Sequence, residues 1–392
     1  MVKILVIAPI IGSSGEATNE RQVVMAISRF SEKVLVISPT DIRDIFKGMH
    51  NVYLAHRPLN VKVVLIPSIP PYGPLWLLSF LIHIFFMLLL IIVIYFLDLR
   101  SPFDIIYVRD PRVGLPISFI NRLAKKTFVK IASIAEEEVY QKLLKKIVEV
   151  ISSSIDKHVM KNVAGIITHS QNFAKHLVLR RRCLPKKVII LPPGITWTII
   201  NIVKKYCPRR STKDEIIVGF LGLLAEWQGV DILCDIVAEL IKKGYKAKLK
   251  VIGDGVLKGY LARKCNEKKV KVEITGFLPH HIALCLARRK FDVLVLPRIH
   301  TETTSNIIPI KIVEALVLGI PVIVTDLPIY KKLRGKGLCV SKRTPKHFAD
   351  AVLKIFESNS DISHSIDHKF LKDFIYEHNV AIFLKIALGD KM

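Results

Sequence analysis

Apolar residues in this 392-residue chain gather in short continuous runs, separated by stretches in which they recur at helical spacing. The run Lys3 to Ile10 (KILVIAPI) has strand length and ends in the loop Ile11 to Gly15. Unbroken rather than alternating apolarity marks strands covered on both faces, as in parallel sheets. From Asn19 to Phe30, the residues Val23, Val24, Ile27 and Phe30 share one helical face, so a helix should follow the first strand. Further strands are expected at Lys33 to Ser38, Val61 to Pro67, Phe103 to Arg109, Phe128 to Ile134, Gly165 to Ser170 and Lys187 to Leu191, with a helix through Lys142 to Ser152.

Residues Lys204 to Glu215 (KKYCPRRSTKDE) are polar, basic and interrupted by Pro208, which predicts a linker. A second series follows, with strands at Ile216 to Leu221, Lys248 to Ile252, Val270 to Thr275, Phe291 to Leu296, Pro321 to Thr325 and Gly337 to Val340. Helical stretches at Val230 to Lys242, His281 to Arg289, Lys311 to Leu318 and Pro345 to Glu357 separate them. The pattern reads as an α/β chain of two doubly wound Rossmann-like domains, residues 1–205 and 206–375. An amphipathic helix within 376–392 is expected to pack back on the first domain. Such folds take ligands at the carboxyl ends of their parallel strands, which places the expected site in a cleft between the two sheets.

One segment departs from this alternation. Leu75 to Leu97 reads LWLLSFLIHIFFMLLLIIVIYFL, interrupted only by Ser79 and His83. As a helix it would measure roughly 34 Å, enough for a hydrocarbon core of about 30 Å. A single crossing would put the strands before and after it on opposite sides of a bilayer, and both belong to one sheet. The expectation is therefore a monotopic or interfacial helix, preceded by the chain-breaking Pro67, Pro70, Pro71 and Pro74.

Charge and composition refine this picture. The formal net charge is +26 while 51% of the residues are hydrophobic, which excludes a disordered basic tail. Positive charge attracts nucleic acid or anionic lipid. The Lys and Arg residues are scattered, the densest run being Arg180 to Arg182 with Lys186 and Lys187, so no nucleic-acid partner is expected. Six cysteines, Cys183, Cys207, Cys234, Cys265, Cys285 and Cys339, stand singly without metal-ligand spacing. This predicts a reducing compartment, no structural metal and no metal cofactor.

Candidate chemistry lies mainly in the second series. The strand Ile216 to Leu221 runs into Gly222, then into Glu226-Trp227-Gln228-Gly229, and the strand Lys248 to Ile252 runs into Gly253-Asp254-Gly255. Glycine at a strand end lets backbone N–H groups approach an anion that a following helix dipole also favours. It serves plain tight turns equally well. A helix starting near Pro309 would carry Lys311 and Glu314 one turn apart. A cation at a helix N-terminus is disfavoured until an anionic ligand arrives, and a Glu accepts hydrogen bonds from ribose hydroxyls. An ordinary surface ion pair would have the same spacing.

Taken together, these segments resemble the family 4 glycosyltransferases of GT-B architecture, over nearly the whole chain. In the first half the likeness rests on Lys3 to Gly15, FDIIYVRDP at Phe103 to Pro111, GIITHS at Gly165 to Ser170 and KVIILPPGI at Lys187 to Ile195. In the second it rests on FLGLLAEWQGVD, VIGDG, ITGFLPHHIA and, most specifically, PIKIVEALVLGIPVIVTD. The resemblance implies a retaining, hexosyltransferase-type enzyme that takes a nucleotide-diphosphate sugar as co-substrate and no other cofactor. It implies that Glu314 binds the donor ribose, that the amides of Asn306, Ile307 and Ile308 hold the diphosphate, and that Phe277 lines the base pocket. Gly222, Gln228 and Gly253 complete the donor-side set. On the acceptor side it points to Gly12, Gly15, Arg109, Ser133, Glu137 and Glu138, the last two within a run that also reads as a solvated helix start.

The chain departs from the family pattern in three places. Asn306 stands where a Glu is common, Leu223 and Gln228 stand where an Arg and a Lys are common, and Ser133 stands where a His is common. Lys311 is therefore expected to supply the missing phosphate charge, and no catalytic residue is assigned. Membrane-attached members commonly modify lipid-linked saccharides or glycolipids, so the expected acceptor is membrane-borne and the expected location is the cytoplasmic face of the cell membrane. A sugar-nucleotide epimerase and a membrane scaffold with a decayed site are the alternatives.

Overall fold

The computed structural model describes residues 2–12, 15–41, 45–46, 57–68, 89–135, 142–209, 214–301, 304–305, 308–333, 337–357 and 372–389. The chain forms two compact units, Met1–Pro192 with Tyr376–Met392, and Pro193–Ile375.

The first unit is built on seven strands: β1 (Lys3–Ile7), β2 (Lys33–Asp41), β3 (Val61–Ser68), β4 (Ile105–Arg109), β5 (Thr127–Lys130), β6 (Gly165–Thr168) and β7 (Val188–Ile190). Their order is β3-β2-β1-β4-β5-β6-β7, and every pairing is parallel. Alternate residues of each strand serve opposite faces. Ile4 and Val6 meet Val23, Val24 and Ile27 of the helix Gly15–Ser28, together with Tyr376, Val380, Phe383 and Leu384 of the helix Tyr376–Leu388. Leu5 and Ile7 face the other way, toward Val113, Ile117, Val159 and Met160. This two-sided burial is the reason the strands read as continuous apolar runs.

The second unit holds β8 (Ile216–Leu221), β9 (Ala247–Ile252), β10 (Val272–Ile274), β11 (Val293–Leu296), β12 (Val322–Thr325) and β13 (Leu338–Ser341) in the order β10-β9-β8-β11-β12-β13. These pairings are also parallel. In the first unit the strand order turns between β1 and β4, and in the second between β8 and β11. In folds of this kind ligands bind at the carboxyl ends of the strands that flank such a turn.

Two sequence expectations need correction. The boundary lies between Pro192 and Pro193, not at 205, because Ile199, Ile200 and Val203 of the helix Trp197–Tyr206 belong to the second core. The stretch read as a linker is partly tied down: Arg209 donates to the Gly319 carbonyl, and Cys207 forms a disulfide with Cys285 at a Cα–Cα distance of 5.4 Å. The two cysteines are 78 residues apart in sequence, so spacing alone showed two single thiols.

The apolar segment falls only partly within the described residues. Residues 75–88 lie outside the described residues, and residues 89–100 are helical. Leu90, Ile91 and Ile94 of that helix are buried in the first core, whereas Leu89, Ile92, Val93 and Phe96 are exposed. Its last turn carries buried Asp98, which pairs with Arg122 at 2.8 Å and Lys126 at 2.5 Å. Among the described residues no helix is long and apolar enough to cross a membrane.

Candidate functional site

At the switch point of the second sheet, the chain leaves β8 through Gly222, whose φ of 122° suits glycine, and its N–H donates to the Ile252 carbonyl at 2.9 Å. Gly253, at φ 147°, presses against this turn so closely that a Cβ on it would lie 1.9 Å from the Gly222 carbonyl oxygen. The two strand ends are thus locked side by side by the absence of two side chains. Gly253 also bridges Gly276, the residue before Phe277, and Phe277 is exposed.

Into this floor reaches Lys311, from the first turn of the helix Ile310–Val317. A Cβ on Gly222 would come within 2.3 Å of Lys311 Nζ, so the ammonium lies directly over the glycine turn. Lys311 Nζ donates to Gln228 Oε1 at 3.4 Å and sits 5.3 Å from the Phe220 ring centroid. The guanidinium of Arg298, a buried residue just past β11, stacks 5.1 Å from the Trp227 ring. Burial first, and the Arg298 charge second, push the Lys311 ammonium down to about 7, with Glu314 opposing both. The loop after β11 is pinned by Thr304, whose hydroxyl donates to the Ile299 carbonyl at 2.7 Å and accepts from the Thr301 N–H at 2.8 Å.

Glu314 is buried one turn beyond Lys311, and its Oε1 lies 2.6 Å from His280 Nε2. His280 opens the helix His280–Lys290 right after Pro279. Its bond to one carboxylate oxygen fixes the rotamer of Glu314. Two cations, a helix N-terminus and a glycine turn therefore converge with a single oriented carboxylate, an arrangement suited to an anionic ligand that also carries hydroxyls.

At the switch point of the first sheet, Gly12 adopts φ 116°, and Arg21 clamps the loop through the carbonyls of Ile10 at 2.7 Å and Gly12 at 2.8 Å. Beneath it lies Glu20, which is buried. Its Oε1 accepts from Lys130 Nζ at 2.7 Å and its Oε2 from the Tyr107 hydroxyl at 2.7 Å. Arg109 Nε stands 3.7 Å from Glu20 and 2.9 Å from Glu16. Burial alone would raise the Glu20 carboxyl, but Lys130 and Arg109 hold it below its usual range. Burial and then Glu20 push the Tyr107 phenol well up, and burial lowers Lys130. Asp110, the next residue, has φ 92°, a strained value for a side chain other than glycine, and caps the helix Pro111–Ser118.

The structure brings Gly222, Gly253, Gln228 and Lys311 into one floor, sets Glu314 one helical turn away, and leaves Ile308 half-buried against the core. Gly12 and Arg109 flank the first switch point, Gly15 opens its helix, and Ser133 sits half-buried in the bend after β5. Asn306, Ile307, Glu137 and Glu138 lie outside the described residues. Sequence reasoning missed Arg298, His280, Glu20, Tyr107 and Lys130. Arg298 and His280 directly follow a strand-end proline and a pre-helix proline, a position that brings side chains to the ligand end of such a sheet.

Residues 215–358 match the family model described as glycosyl transferases group 1. Among proteins of known name, the chain is 23% identical over 185 residues to EpsF of Bacillus subtilis, covering 46% of this chain and 47% of that one. It is 23% identical over 207 residues to a 2-deoxystreptamine glucosyltransferase of Streptomyces kanamyceticus, covering 50% of each. The chain thus spans about half the length of the curated relatives it matches. Of the solved structures, HepE of Anabaena, crystallised with UDP and glucose, superposes with a TM-score of 0.66 at 14% identity, over 99% of this chain and 100% of that one. The shared fold is that of two parallel-sheet α/β units. The stretch that matches the glycosyl transferases group 1 model includes the segments that form the Lys311 floor.

Proposed function

We propose that this chain is a retaining family 4 glycosyltransferase that moves a sugar from a nucleotide-diphosphate donor to a membrane-borne acceptor, a lipid-linked saccharide or glycolipid. The observation that carries this reading is Lys311: a half-buried lysine whose ammonium is held down to about 7 beside a second cation, over a glycine turn at the carboxyl end of a parallel sheet. Burying like charges together is costly, and a diphosphate relieves that cost when it binds. Lys311 and Arg298 then stand in for the Arg and Lys that the family commonly carries after the position of Gly222. Glu314, oriented by His280, accepts from the ribose hydroxyls.

In the transfer the bond from the anomeric carbon to the diphosphate oxygen breaks and the acceptor hydroxyl oxygen bonds to that carbon. The hydroxyl proton passes to the departing diphosphate. The two cations stabilise the charge that develops on the leaving group, which is the main task of the protein in this chemistry. This reading assigns the counter-charge to side chains and calls for no metal.

Attachment to the cytoplasmic face of the membrane is supported by the outward face of the helix 89–100, where Leu89, Ile92, Val93 and Phe96 are exposed, and by the apolar sequence that leads into it. The net charge of +26 favours anionic lipid. Titration with UDP, GDP, ADP and dTDP in the presence of EDTA tests the donor site. Incubation with the matching nucleotide sugars and a lipid extract tests the reaction, with labelled lipid the expected product. A free epimer, or no turnover, refutes the transferase reading, and quantitative release into the soluble fraction without detergent refutes attachment.

A further inference from the structure

The charged cluster of the first unit lies at the carboxyl ends of its sheet, where the strand order turns. It has an inner and an outer half. Glu20 and Lys130 form the inner half: both are almost fully buried, and Glu20 accepts from Lys130 Nζ and from the Tyr107 hydroxyl. Arg109 bridges outward, with 16% of its side chain exposed, to Glu16, whose side chain is 46% exposed. Arg109 meets both carboxylates at Nε, one of the five donors of a guanidinium. Counting Lys130, Arg109 and Arg21 against Glu16 and Glu20, the loop region carries one excess positive charge.

We propose that Arg109 binds a phosphate or diphosphate group of the acceptor, and that Glu16 is the counter-ion which that group displaces. The inference rests on the transferase reading above and names the chemistry of its acceptor. Glu20 acts as a positioning residue. Its fixed carboxylate holds the guanidinium stem in the crevice while Lys130 keeps Glu20 ionised. An incoming phosphate then forms charge-assisted bonds at the guanidinium edge, and Glu16 swings into water at little cost, because an exposed ion pair is weak.

The probes are inorganic pyrophosphate and farnesyl diphosphate in detergent, titrated by calorimetry into the full chain saturated with UDP, which fills the second unit's site. Wild-type chain should bind. Glu16→Gln should tighten binding about fivefold, and Arg109→Gln should weaken it more than tenfold, with Arg109→Lys intermediate because the forked contact is lost. Affinity for both probes identifies the phosphate group alone as the ligand, and affinity for farnesyl diphosphate only identifies a lipid-borne head group. Either result supports the proposal. UDP binding is measured in every variant. If Arg109→Gln loses UDP affinity as well, its fold has failed, and the exposed Glu16→Gln decides. UDP binding by wild type with no diphosphate binding beyond it, or with binding indifferent to Glu16→Gln, overturns the proposal alone. Failure to bind any nucleotide removes the transferase reading and this proposal with it.

Discussion

Each unit buries charge where its strand order turns, and the two compensate it differently. In the first, Glu20 lies between Lys130, Arg109 and the Tyr107 hydroxyl, so the buried carboxylate is matched on both oxygens. In the second, Lys311 and Arg298 lie together with one carboxylate nearby, and that carboxylate is already bonded to His280. The inner half of the first cluster, Glu20 with Lys130 and Tyr107, is electrostatically closed and contributes to folding, while Arg109 and Glu16 form its outer edge. The second sets two like charges together, an open arrangement whose cost a bound diphosphate would relieve on the proposed reading. The same fold position can therefore hold charge in two ways, and the difference lies in the balance of charge rather than in the presence of charged residues.

The largest effect should come from breaking the closed cluster. Glu20→Ala leaves two buried cations facing each other and should cost about 3–5 kcal/mol of stability, measured by urea denaturation. Because Glu20 titrates below its ordinary value when folded, its stabilisation is present at neutral pH. It should fade as pH falls from the unfolded carboxylate value through the folded one. Lys311 should respond in the opposite sense. Lys311→Met removes a buried charge from an open cluster and should leave the free protein as stable as wild type or more so, while UDP affinity drops about 10–100-fold. Equal destabilisation by the two substitutions would erase the distinction between the units. Near-normal UDP affinity in Lys311→Met would sink the receptor role.

A pH series sharpens the same contrast. The Lys311 amine is half-protonated near 7 in the free site, and a bound diphosphate favours its charged form. UDP affinity should accordingly be level just below pH 7 and weaken by up to about tenfold per unit above it, until the value for the complex is passed. In Lys311→Met this slope should vanish. The free protein should become more stable as pH rises from 7 toward the unfolded lysine value, since unfolding then no longer gains from protonating the amine.

Much of this organisation is legible in the chain because parallel strands covered on both faces leave unbroken apolar runs. That signal located every strand of both sheets to within a few residues, and the segment PIKIVEALVLGIPVIVTD located Lys311 and Glu314. Arg298, His280 and Glu20 were not legible, because each matters through a partner distant in sequence. Glu20 meets Lys130 across 110 residues and His280 meets Glu314 across 34. Periodicity reports the face a residue lies on and is silent about what faces it from another strand. The helix Trp197–Tyr206 was assigned to the wrong unit for a related reason: the polar stretch after it looked like a linker, whereas the disulfide and the side chains of Ile199, Ile200 and Val203 bind it to the second core.

The smallest predicted effect tests how the open cluster holds its one carboxylate. His280 touches Glu314 at a single oxygen and lies at the start of its helix, so His280→Ala should leave the fold intact. Losing one hydrogen bond to a charged group corresponds to about 1.5–3 kcal/mol when the partner is left buried and unsatisfied. Here part of that loss is recovered because Glu314 can turn toward the ligand, so UDP affinity should fall only about threefold to tenfold. His280→Gln, whose amide can donate from a similar place, should restore most of it. The decisive readout is the comparison of UDP with 2′-deoxy-UDP. If His280 acts by aiming Glu314 at the ribose, the preference for the ribose form should shrink in His280→Ala, recover in His280→Gln and be absent in Glu314→Ala. A uniform loss for both nucleotides would mean that His280 serves the packing of its helix and leaves Glu314 unaffected.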